Sequence, residues 1–365
     1  MAMLHRMFDF CIIGGGIAGV SAAARLAPHG SVVILEREAH VAYHASGRSA
    51  ALFEENYSKP AVTALARASR EYFETAHGGV LSPRGFMMLC KDGDQDAFAH
   101  DKTTMGMQGL TMAEAAAMVP ILDTSVVTQA AISPNARDID TDLMMQNFLK
   151  DARAGGAVLH CGHGVSRLHK TGGHWAVGTD AGGEFTARHI INAAGAWVDE
   201  IAKLAGIPPL GVTPLRRSVA RIAAPGGHDT RHWPMLFGPG ETWWAKPDAG
   251  AFIVSLAEET PSAPMDAWPH DMDLAEGLER YQDYVTEPVT RPIASWAGLR
   301  TFAPDRCLVL GPSPHDPSFV WSAGQGGYGF LTAPAASQLV ADLVTGATPS
   351  LAAPDVQALH PNRFA

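Results

Sequence analysis

The chain has 365 residues, 47% apolar and 18% charged, which is long enough for two domains or one elaborate one and too apolar for disorder. A net charge of −10 argues against nucleic acid, which needs a basic face. Cys11, Cys90, Cys161 and Cys307 lie far apart with no C-x-x-C pair, so they suggest neither a zinc site nor a disulfide scaffold and fit a reducing cytoplasm.

The first apolar run, Phe8 to Ile13, leaves Met1 to Met7 too short for a signal peptide. It reads as a buried parallel strand and runs into Gly14, Gly16 and Gly19 at G-x-G-x-x-G spacing, where Ile17 and Ala18 open a small-residue helix to Leu26. Gly14 makes the tight turn, Gly16 lets a pyrophosphate approach the backbone, and Gly19 lets the helix pack close to its strand. The helix N-terminus offers free N–H groups and positive dipole to the phosphates. A second strand, Ser31 to Leu35, ends at Glu36, where a ribose-binding acid belongs. The spacing marks a dinucleotide site, with NAD, NADP and FAD all open.

Arg37 to Leu52 reads as loop and then helix, rich in small polar donors. Ala61 to Phe73 has helical spacing, Gly85 to Cys90 reads as a strand, and Met112 to Val119 as a short helix opened by Thr111. Ile132 to Asp140 looks irregular, and Thr141 to Gly155 is an amphipathic helix. Val158–Cys161, Val165–His169, Trp175–Gly178 and Phe185–Ile191 are strands separated by glycine turns. Ile190 to Trp197 is a buried strand entering a small-residue turn without a second G-x-G-x-x-G. Ser218–Ala224, Trp243–Lys246 and Ala251–Leu256 suggest an antiparallel sheet, followed by a helix around Leu274 to Val285. Cys307–Leu310, Phe319–Ala323, a glycine cluster and a helix from Phe330 to Val344 close the chain. No repeat, linker or run of ~18 apolar residues interrupts it, so the domains are interleaved and no transmembrane segment is expected.

Gly324-Gln-Gly-Gly-Tyr-Gly329 lies between a strand and a helix. It reads either as a ligand-facing turn with a positive helix end or as a tight turn only. Arg300 and the Arg216-Arg217 pair are candidate forks for a substrate carboxylate, because guanidinium is planar, bidentate and permanently charged; each also reads as a surface charge. Strand alternation turns one of Trp243 and Trp244 toward a pocket. The sixteen histidines show no metal-ligand spacing, and no metal is expected.

The Gly14-x-Gly16-x-x-Gly19 turn, Glu36-Arg37, His44 to Ala50, Asn192 to Trp197, Trp296 to Arg300 and Gly324 to Gly329 together resemble the D-amino-acid oxidase superfamily. That superfamily holds glycine and sarcosine oxidases and bacterial D-amino-acid dehydrogenases, and the likeness is nearest to the FAD-dependent D-arginine dehydrogenase type. The resemblance implies FAD, bound non-covalently by Gly14, Gly16, Ile17, Ala18, Gly19, Glu36, Arg37, His44, Ser46, Gly47, Arg48, Ser49, Ala194, Gly195, Trp197, Arg300, Gly326, Gly327, Tyr328 and Gly329. It implies that Arg217 and Arg300 grip the substrate carboxylate, that Tyr57 and Trp244 complete the catalytic set, and that the Gly327 backbone lies near the amine. Leu52, Glu54 and Phe86 stand where the arginine-specific relative has a histidine, a threonine and the glutamate for the cationic head. Replacing that acid by a ring favours an apolar or mid-sized side chain, while Glu54 keeps basic substrates in view.

The implied fold is α/β (α+β): a Rossmann-like FAD domain of residues 1–80, 141–210 and 296–365, interleaved with an antiparallel-sheet substrate domain of residues 81–140 and 211–295. The implied chemistry is oxidation of a D-amino acid to the imino acid by hydride transfer from Cα to flavin N5, with oxygen or a quinone-type dye as the final acceptor. Alternatives are a glycine/sarcosine-type secondary amine oxidase, a 2-hydroxy acid oxidase on the same fold, and a non-catalytic flavoprotein. The expected location is cytoplasmic, with peripheral membrane association left open.

Overall fold

A computed structural model describes residues 7–289 and 291–365; Met1 to Arg6, most of the short leader, lie outside the described residues. Two large sheets carry the chain. In the first, Val158–His160, Val32–Leu35, Met7–Ile13 and Glu184–Asn192 lie side by side and parallel. The last of these then splits its free edge. Its first half takes the Val165–Thr171/His174–Thr179 hairpin, and its second half takes Phe319–Ala323 in parallel. Val32–Leu35 and Phe319–Ala323 are buried on both faces, as their near-continuous apolar runs require. Helix Ile17–Leu26 packs on one face against helices Thr141–Ala154 and Gly329–Thr345.

The second sheet runs Thr260–Pro261, Thr213–Ala223, Ala251–Ser255, Trp244–Asp248, Met235–Phe237, Phe86–Cys90, Gln129–Ser133, Gln108–Leu110. It is antiparallel except where Met235–Phe237 lies parallel to Phe86–Cys90. Ala294–Phe302 pairs with Thr213–Ala223 from end to end, so the expected boundary at 296 cuts a strand and this sheet continues to Phe302. Arg217 sits inside that long strand, which opens at Thr213 rather than at the expected Ser218.

Helix ends follow local chemistry. Thr111 and Glu114 form a capping box on Met112–Met118, and the Asp140 carboxylate accepts the Leu143 N–H at 2.9 Å at the start of Thr141–Ala154. Two segments depart from expectation. The helix expected before Leu52 is a short 3₁₀ turn, Ala45–Arg48, followed by the two-residue strand Leu52–Phe53. Ile132 to Asp140, expected to be irregular, holds the end of Gln129–Ser133 and the strand Arg137–Ile139. In both, long-range partners supply what local spacing lacks: Arg137–Ile139 pairs with Leu52–Phe53 and with Leu81–Pro83. Among the described residues no helix is long and apolar enough to cross a membrane.

Candidate active site

The glycine turn forms as its spacing dictates. Gly14 has φ +110°, and a Cβ there would stand 2.5 Å from the Ala193 carbonyl oxygen. A Cβ on Gly19 would stand 2.0 Å from the Gly14 carbonyl oxygen, so that residue lets the helix close on its strand. The Glu36 carboxylate accepts the Gly15 N–H at 2.5 Å and the Glu38 N–H at 2.8 Å. Ser46 Oγ accepts the Ile17 N–H at 3.0 Å and so covers the helix N-terminus.

Two cavities meet at this turn and share Gly16, Ala45, Ser46, Ala193 and Gly195, which makes them one trench. Gly14, Glu36, Arg37, His44, Ala194 and Trp197 wall the lower part. There the Arg37 guanidinium lies 5.6 Å from the Trp197 ring centre, and His44 Nε2 pairs with Glu38 at 2.9 Å. Ile17, Ala18, Arg48, Ser49, Gly326, Gly327 and Gly329 wall the upper part. Gly19, Gly47 and Tyr328 stand outside the walls of both cavities, contrary to expectation. Gly19 packs behind the turn, and a Cβ on Gly47 would meet the Ala42 carbonyl oxygen at 2.3 Å. Tyr328 is buried behind Tyr57, with ring centres 6.0 Å apart. A trench with a bare glycine turn, an acid at one end and a helix N-terminus beside it fits an elongated dinucleotide such as FAD.

The Ala45–Arg48 turn is held by tertiary contacts. Arg48 donates to the Ala267 and Ala297 carbonyls at 3.0 and 2.8 Å and pairs with Asp266 at 2.5 Å. Lys246 Nζ donates to the Ala50 carbonyl at 2.5 Å and stands 2.7 Å from Asp138. Burial lowers the Lys246 pKa, and Asp138 opposes that shift.

The upper trench opens against the second sheet. Arg217 pairs across strands with Gly298, and Arg300 with Leu215, so the two arginines are diagonal neighbours on one face. Gly298 leaves the space over Arg217 open, since a Cβ there would meet nothing nearer than 3.6 Å. Arg217 is 6% exposed. Its Nε donates to the Glu258 carbonyl at 2.9 Å, while its Nη1 is buried with no hydrogen-bond partner among the described residues. Burial first, and Arg300 second, bring the Arg217 pKa down to about 10. Arg217 lines the cavity, and a buried guanidinium nitrogen without a partner calls for an anion.

Tyr57, Leu52, Glu54, Phe86 and Trp244 all line the same cavity. Phe86 stacks on Phe237 with ring centres 3.9 Å apart, and Trp244 is opposite Phe237 in the sheet. Trp244 Nε1 is buried without a hydrogen-bond partner among the described residues. Trp243 belongs to the core on the other face. Burial, and then the neighbouring Glu241 carboxylate, push the Tyr57 hydroxyl well above its usual pKa, so it remains a donor. Met235, Phe237 and Glu241 also line the cavity and were missed in the sequence. The short apolar run from Met235 to Phe237 was a usable signal for the first two; nothing local marked Glu241.

Residues 9–343 match the DAO family, described as FAD dependent oxidoreductase. Glycine oxidase from Pseudomonas aeruginosa is 26% identical over 356 residues, covering 93% of this chain and 95% of that protein. The crystal structure of L-proline dehydrogenase from P. horikoshii has a TM-score of 0.84 at 23% identity, covering 99% of this chain and 98% of that one. That of iminodiacetate oxidase from Chelativorans sp. BNC1 has a TM-score of 0.80 at 22% identity, covering 97% and 99%. The fold is common to all of them. A nearer kinship to the D-arginine dehydrogenase type does not follow from these likenesses.

Proposed function

The chain belongs to the DAO family of FAD-dependent oxidoreductases, and from that premise we propose that it oxidises the amine of an α-amino acid, D-configured or glycine itself, to the imino acid. The buried, unpartnered Nη1 of Arg217, a residue that lines the cavity beside Arg300, is the observation that carries this reading. Both guanidinium groups take the substrate carboxylate, and Tyr57, whose hydroxyl is hydrogen-bonded to Glu241, stands on the same side. The side chain extends onto Phe86, Phe237 and Trp244, which favours an apolar or mid-sized group. The amine then lies beside the Gly327 backbone. When bound, FAD supplies the acceptor for the hydride that leaves Cα. The protein's part is orientation: two fixed arginines leave the bound amino acid little rotational freedom. An amine bound neutral needs no general base, and water converts the released imino acid to keto acid and ammonia.

FAD is held without a covalent bond in this reading, since His44 is engaged by Glu38 and Gly298 offers no nucleophile. A glycine/sarcosine-type amine oxidase is the second reading, supported by the glycine oxidase that covers almost the full chain.

The test is turnover of D- and L-amino acids, glycine, sarcosine and 2-hydroxy acids by the FAD-loaded protein, each with oxygen and with a dye acceptor. D-amino acids or glycine are expected to react, and Arg217→Ala is expected to lower kcat/KM by about 10²–10³, the loss of two charge-assisted hydrogen bonds. Turnover of hydroxy acids or L-amino acids alone would overturn the reading, as would an Arg217→Ala effect within a few-fold.

A further inference from the structure

The carboxylate clamp is ringed by acids. Arg217 and Arg300 share the upper trench with Glu54 and Glu241; Arg306, Glu258 and Glu259 stand outside its walls within electrostatic reach of them, and Arg48, the other guanidinium of the wall, is held by Asp266. Arg306 is already committed: it grips Glu259 through hydrogen bonds of 2.6 and 3.0 Å and lies over the Phe302 ring at 3.9 Å. Glu259 also stands 3.6 Å from Arg217 Nη2. Glu258 gives its carbonyl to Arg217 and its carboxylate to the Ser218 amide.

Glu241 lies at the cavity lip on the turn Pro239–Glu241, with φ +54°, a left-handed value unusual for a side-chain-bearing residue. The preceding Gly240 N–H is fastened to Asp101 at 2.7 Å. Glu54 forms the inner wall, 6% exposed, taking the Asn56 N–H at 3.0 Å and the Ser133 hydroxyl. Among the described residues it has no ion-pair partner. In the amino-acid reading one substrate carboxylate takes Arg217 Nη1 and Arg300, while Arg48 and Arg306 are already paired with Asp266 and Glu259.

We infer that the acidic collar of Glu54 and Glu241 restricts the site to amines bearing one carboxylate and turns away dicarboxylic ones such as aspartate or iminodiacetate. This rests on the amino-acid reading above. A second carboxylate entering the upper trench meets either the Phe86–Phe237 wall, where it is desolvated without a partner, or a fixed like charge. Side chains that are neutral or cationic meet no such barrier. The collar would thus separate this chain in substrate from the iminodiacetate oxidase whose fold it shares.

Calorimetric titration of the FAD-loaded protein with propionate and malonate, which are close in size, tests the inference without turnover. Propionate is expected to bind at least about tenfold tighter. Glu241→Gln and Glu54→Gln are each expected to narrow that gap several-fold, by tightening malonate. Malonate binding as well as propionate to the unaltered protein overturns the collar, and so does a gap untouched by both substitutions. If Arg217→Ala still abolishes binding in that case, the clamp stands and only the collar falls. Binding of neither acid removes the clamp and the collar together.

Discussion

Gly327 has no side chain where the Arg300 guanidinium lies against the backbone; a Cβ there would stand 2.9 Å from Arg300 Nη1. The neighbour is the mobile end of a long side chain, so the fold should survive a methyl group while the guanidinium is displaced. Gly327→Ala is therefore expected to raise KM for the amino acid about tenfold or more, with little change in melting temperature; steady-state kinetics beside a thermal melt would show it. Arg217 gives a second expectation. Its pKa is drawn down to about 10, so it is charged and able to hold a carboxylate below that pH and loses this ability above it. KM should climb as pH passes about 10, and a flat profile from pH 8 to 11 would oppose the assigned role.

At the scale of elements, the segment from Ala45 to Phe53 joins the two halves of the trench, and Lys246 is its anchor from the other sheet. The Lys246 ammonium serves the Ala50 and Ala51 carbonyls and Asp138, while Arg84 also pairs with Asp138 at 2.7 Å. Because Arg84 remains, Lys246→Met leaves no isolated buried charge. The expected loss is about 1–3 kcal/mol, from carbonyls left without a donor. Denaturant melts would measure it, and looser FAD binding should accompany it because Ser46 and Arg48 lie on the same segment. The turn is set by these anchors and not by helical propensity. That explains why small residues around His44 to Ala51 read locally as helix and fold as a 3₁₀ turn.

At the scale of the molecule, the trench takes its walls from both sheets: Gly14, Gly16 to Ala18, Glu36 and Ala193 to Trp197 from one, and Arg217, Phe237, Trp244 and Arg300 from the other. A ligand filling it ties the sheets together. FAD at a thousandfold excess over its Kd is expected to stabilise the protein by about 4 kcal/mol. Removing it should lower Tm by several degrees, and equal melting of apo and loaded protein would contradict the trench as the FAD site.

What the chain declares by itself is what local physics enforces. Gly14 and Gly19 must be glycine because one has positive φ and the other has a carbonyl oxygen 2.0 Å from any Cβ. The unbroken apolar strands and the Thr111 and Asp140 caps are equally local, so the dinucleotide half of the site was legible. The substrate half was legible only through resemblance, because its members come from separate strands. Arg217 and Arg300 become neighbours through the pairing of Thr213–Ala223 with Ala294–Phe302, and nothing in either stretch announces the other. Glu241 reaches the cavity only because a strained turn carries it there. Backbone sterics and burial act over a few residues and can be read along the chain; the charge balance of the pocket arises between segments far apart in sequence, and only tertiary pairing decides it.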